Sequence, residues 1–184
     1  MVNDRDQRDR LIGFLDAQRE HVLGILEDLN DEQLRRAVLP SGWSCLGLVK
    51  HLALDVEHYW ARCIVAGEAL TFFTENSLDE GGAWRVGADE TADEIFSLYR
   101  AEWARSNEII TETTLDQPPA ISEEWWGDWK VADVGFIVLH MIEETACHAG
   151  HLDVVRELFD GRRWMAFNPE VSPGVAERDP ASDQ

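Results

Sequence analysis

Residues 131–160 read VADVGFIVLHMIEETACHAGHLDVVRELFD. Val134, Val138, Met141, Leu152, Val155 and Phe159 recur at helical intervals, the mark of one apolar stripe. Gly161 follows, and glycine tolerates the left-handed conformation that closes a helix, so the spacing predicts a helix from Val131 to Asp160. The same stretch carries His140, Glu144 and His148 at i, i+4 and i+8, with His151 three residues later. Neighbours in that row lie about one turn apart and roughly 40° round the helix, so they can converge on one point.

Three other segments share this periodicity. The first runs from Asp4 to Leu29 on Leu11, Phe14, Leu15, Val22, Ile25, Leu26 and Leu29; Asn30-Asp31 breaks it and opens a short helix through Leu34. The second runs from the N-cap Ser44 to Ala66, ahead of Gly67. The third opens on the capping box Thr91-Ala92-Asp93-Glu94 and follows Ile95, Leu98, Tyr99, Ile109 and Ile110 to Thr113. Strand signals are nearly absent. The expected fold is all-α, an antiparallel four-helix bundle over residues 1–167 with long loops after helices 2 and 3. Residues 168–184, with Pro169, Pro173 and Pro180, are expected to form an extended or frayed tail.

Those loops, 67–90 and 114–130, are long for a bundle and rich in aromatic residues: Phe72, Phe73 and Trp84 in one, Trp125, Trp126 and Trp129 in the other. Two readings stand. The rings cap an open bundle end, or they wall a pocket.

Length (184 residues), 45% hydrophobic content and 28% charge fit one globular domain. A net charge of −20 argues against nucleic acid and anionic membranes as partners. No apolar run reaches the roughly 18 residues needed to span a bilayer, and Met1-Val2-Asn3-Asp4-Arg5-Asp6 has no basic n-region, so a cytoplasmic location is expected. Cys45, Cys63 and Cys147 show no C-x-x-C spacing and read as reduced core thiols; Cys147, about 100° round the helix from His148, is expected to face a neighbouring helix.

The anomaly is titratable residues on stripes that should be apolar. In the second helix His51 sits between Leu48 and Leu52, with Asp55 and His58 expected on the same side at i+4 and i+7. Burying such groups without partners costs on the order of 2–7 kcal/mol each. A divalent cation satisfies them, since imidazole nitrogens and a carboxylate are its usual donors. Three protein ligands would leave positions open for water or substrate, the arrangement of a catalytic site. Spacing alone leaves alternatives: His140 in place of His148, Asp55 as an outer acceptor, a general base or a surface acid, and His151 as an orienting or surface residue. The groups could also satisfy one another without any metal.

Leu48-Val49-Lys50-His51-Leu52-Ala53 and the run from His140 to His151 resemble the DinB/YfiT-like superfamily, in the branch grouped with mycothiol-dependent maleylpyruvate isomerase, over residues 5–162. The resemblance implies a four-helix bundle holding a divalent metal, zinc or nickel, through one histidine of helix 2 and an i, i+4 pair of the last helix. Those positions are His51, Glu144 and His148; many members carry His where Glu144 stands, and the isomerase branch carries Glu. The implied activity is a metal-dependent transferase or isomerase that activates a low-molecular-weight thiol such as mycothiol toward a small electrophile, in a chain that forms a homodimer. The alternative is a non-catalytic, stress-related bundle that binds a metal or small ligand. The isomerase carries a further C-terminal domain for which this sequence has no length, and no residue here is assignable to thiol recognition.

Overall fold

The computed structural model of the chain describes residues 3–70, 82–122 and 130–164. Phe72, Phe73, Trp125, Trp126, Trp129 and the tail 168–184 lie outside the described residues. All regular structure among the described residues is helical, with no strand. No helix among them is long and apolar enough to cross a membrane.

Local chemistry starts each helix. α1 (Asp4–Ile25) is capped by Asn3, which accepts from the Asp6 N–H at 2.8 Å. α2 (Asp31–Arg35) opens on a reciprocal box between Asn30 and Gln33. α3 (Cys45–His51) starts where Ser44 accepts from the Gly47 N–H. α4 (Ala92–Glu112) carries the expected Thr91/Glu94 box. α5 (Val134–Asp160) is capped by Asp133 and ends on Gly161 at φ 77°. Each long segment thus lies within a few residues of its expected bounds.

One local feature was not expected. α3 continues without a break into a π-helical run, Leu52–Val65. Leu52, Val56, Trp60 and Ile64 lie buried along it, and at its end the Ala66 N–H donates to the Ala61 carbonyl at 3.1 Å, the i→i+5 bond of a π turn. Such turns are rare and cluster at functional sites. This one begins directly after His51.

Contacts between side chains fix the helix directions. His21 meets Asp153 and Arg156 reaches the Ile25 carbonyl, while Leu11 and Leu139 line one recess, so α1 and α5 run parallel. The α3–π segment is likewise parallel to α4, through Lys50–Glu90, Arg62–Glu102 and Arg105–Glu68. The antiparallel order expected from the sequence is thus corrected for these two pairs: parallel neighbours cannot be joined by a tight turn, which accounts for the length of the 67–90 connection. Between the helices lies a core that includes Leu15, Leu48, Leu52, Tyr99, Ile137 and Met141.

Arg19 and Glu57, both with fully buried side chains, form a two-bonded ion pair at 2.7 and 2.5 Å. Asp16 and Asn107 both accept from Arg19 Nη1, and Trp103 donates to Asp16. A buried guanidinium is tolerated when a carboxylate pairs with it and further acceptors take its remaining nitrogen. The sequence reading did not anticipate this network.

Candidate metal centre

The π-helical pitch sorts the polar residues of the second helix. Asp55 remains beside His51, with its Oδ2 2.7 Å from His51 Nδ1. His58 leaves that side: it is buried against α4, its Nδ1 3.2 Å from Glu102. The reading that put His58 on the His51 face is corrected, because a wider turn carries i+7 away from i.

Asp55, an acceptor when ionised, draws the Nδ1 proton of His51 and so leaves the Nε2 lone pair free. That Nε2 is buried and has no hydrogen-bond partner. It is the kind of orphaned atom that costs free energy unless something binds it. Across from it, α5 brings Glu144 and His148 together, Oε2 to Nε2 at 3.3 Å. One donor atom from each of His51, Glu144 and His148 lies within 4.8 Å of the other two, close enough for one cation to draw on all three. Two imidazole nitrogens and a carboxylate oxygen are a donor set that suits a divalent transition metal. The residues present therefore fit a metal.

The remaining candidates fall outside this group. His140 packs edge-on against Trp60, ring centroids 4.9 Å apart, and burial pushes its imidazole below the usual range against the pull of Glu144 and Glu143. His151 sits beside the site, its Nδ1 3.4 Å from His148 Nδ1. Burial first, then the neighbouring His51, push the His148 imidazole down to about 4, with Glu144 opposing. Both effects keep His148 neutral near pH 7, the form that can donate a lone pair.

Aromatic rings close one side. Trp84, at the end of the short turn Gly82–Trp84, stacks on His51 at 4.1 Å and meets His148 edge-on at 5.5 Å. Of the two readings of the aromatic loops, Trp84 fits the pocket wall; the other loop aromatics lie outside the described residues. Trp43, which no spacing in the sequence singles out, tilts toward His151 at 6.1 Å. An open cleft of about 640 Å³ adjoins this wall, lined in part by Arg35, Trp43, Ser44, Trp84 and Arg85.

Gly47 makes the wall possible. A Cβ at this position would overlap the Trp84 carbonyl oxygen, so only glycine lets the Trp84 backbone lie against α3. The cysteines stand apart from the donor group. Cys45 and Cys63 are buried as expected, and burial pushes the Cys45 thiol up to about 12. Cys147 is exposed rather than packed against a neighbouring helix, because its side of α5 faces solvent.

With this geometry in place, the comparison with known families is informative. Residues 10–161 match the mycothiol-S-transferase family. The chain belongs to that family, and through it to the DinB/YfiT-like mycothiol-related group. Neither a curated protein nor a solved structure matches the chain at a significant level. Family membership brings a thiol-type small molecule into view as partner.

Proposed function

We propose that the chain is a metal-dependent thiol S-transferase or isomerase, built on a four-helix bundle, with His51, Glu144 and His148 as ligands to zinc or, alternatively, nickel. The observation that carries this reading is His51 Nε2, buried and unpaired beside Glu144 and His148 in a member of the mycothiol-S-transferase family. A divalent ion here supplies a Lewis acid that lowers the pKa of a thiol toward neutrality.

The chain's own residues do the rest. Asp55 holds the His51 ring in one orientation through Nδ1. Trp84 covers the His51 face and keeps water from it. The cleft beside Trp84 receives the body of a mycothiol-like thiol or of its small electrophile. A cytoplasmic setting suits three cysteines that form no disulfide.

The test is metal analysis of protein purified without a nickel column, followed by thermal shifts with mycothiol, bacillithiol and glutathione, with and without metal. Near-stoichiometric metal that His51→Ala removes is expected. A thiol at about 100 times its Kd should stabilise the metal-loaded protein by about 2.7 kcal/mol. Metal content that is low and indifferent to His51→Ala would defeat the site; metal without thiol binding would leave a binding bundle in place of an enzyme.

A further inference from the structure

His148 is engaged at both of its ring nitrogens. Its Nε2 lies 3.3 Å from Glu144 Oε2, and its Nδ1 lies 3.4 Å from His151 Nδ1. His51 is arranged in the same way. Its Nδ1 meets Asp55, while its Nε2 is left bare beside Glu144 and His148. Each imidazole of the candidate centre thus keeps Nε2 for the donor group and engages Nδ1 with a later residue of its own helical segment. That residue is Asp55 at i+4 for His51 and His151 at i+3 for His148. Residues three and four apart share a helix face, so the backbone itself brings both partners within reach.

A neutral imidazole that gives its Nε2 lone pair to a cation carries its proton on Nδ1, and that proton needs an acceptor. Among the described residues, His151 Nδ1 is the polar atom placed to accept it from His148. The choice of a neutral partner has an electrostatic reason. Asp55 and Glu144 already bring two carboxylates to the centre, which match the charge of a divalent ion. A third would leave excess negative charge in a partly buried site, where it is poorly screened. His151 accepts the bond without adding a charge. Its ring also has Trp43 of the cleft wall as a neighbour, 6.1 Å away between centroids, which limits its rotation.

We propose that His151 is a positioning residue, which holds the His148 ring with Nε2 directed at the metal through a bond between the two Nδ1 atoms. The role rests on the reading of His51, Glu144 and His148 as metal ligands.

Zinc is the probe, added to the metal-free full chain and read by competition with a chromophoric chelator. His151→Leu keeps bulk and removes the acceptor, while His151→Asn places an amide oxygen near where Nδ1 stood. His151 is exposed, so both variants should keep the native far-ultraviolet circular dichroism. His151→Leu should bind zinc about 10–100-fold more weakly, and His151→Asn should recover most of that loss. In zinc-loaded protein labelled at histidine with nitrogen-15, the His148 Nδ1 proton should exchange with water faster in His151→Leu than in the native chain, a change that lost packing alone would not produce. Equal zinc affinity in the native chain and His151→Leu, unchanged proton exchange, or His151→Asn as weak as His151→Leu would overturn the proposal and leave the ligands in place. A native chain that binds no zinc would instead defeat the ligand reading itself, and the positioning role with it.

Discussion

Asp55 Oδ2 lies 2.7 Å from His51 Nδ1, and this one contact decides which nitrogen of His51 is left free beside Glu144 and His148. Neither residue alone carries that information. A histidine without the carboxylate turns more freely and divides between two tautomers.

Asp55→Ala is therefore expected to weaken metal binding by about 10–100-fold, the usual effect of losing such a partner. His51→Ala should weaken it further still. Chelator competition monitored by a chromophoric indicator reads both, and equal affinity in Asp55→Ala and the native protein would show that the contact positions nothing.

Gly47→Ala tests the Trp84 wall. On propensity alone the change should stabilise a helix by about 1 kcal/mol. Here the new methyl meets the Trp84 carbonyl, so the expected result is a lower melting temperature and weaker metal binding. Unchanged affinity with a raised melting temperature would mean that the Trp84 backbone yields without disturbing His51.

The Arg19–Glu57 pair predicts an asymmetry in urea denaturation. Arg19→Met alone strands a buried carboxylate and should cost about 3–5 kcal/mol. Arg19→Met combined with Glu57→Leu removes both charges and should recover most of that loss. A double variant as unstable as the single one would show that the pair also holds the π-helical run in register.

Glu68 supplies a pH dependence. Hydrogen bonds from Arg105 and then Arg62 hold its carboxyl below the usual range. A carboxyl depressed on folding contributes stability that is complete above its unfolded value, about 4.3, and is lost as pH falls through its folded value. Native protein should thus exceed Glu68→Gln in stability at pH 7 by less than about 1 kcal/mol, since the pair is partly exposed. That margin should close as the pH drops below about 4, as urea midpoints across the range would show. A margin that widens with acid would refute the assignment.

Periodicity, caps and breakers in the sequence were sufficient for the long helices, because a buried stripe and a satisfied helix end are local properties of the chain. Thr91 with Glu94, Ser44 and Gly161 all act as their positions require. Spacing also raised His51, Glu144 and His148 as inward polar residues, while the choice of those three over His140, Asp55 and His151 came from the family resemblance. Tertiary structure decided the rest. The π-helical pitch after His51 moved His58 onto α4, and no three- or four-residue spacing could announce it. Arg19 and Glu57 are 38 residues apart, and Trp84 reaches His51 from a loop 33 positions away. Partners so distant are chosen by packing between helices, which a one-dimensional pattern does not encode.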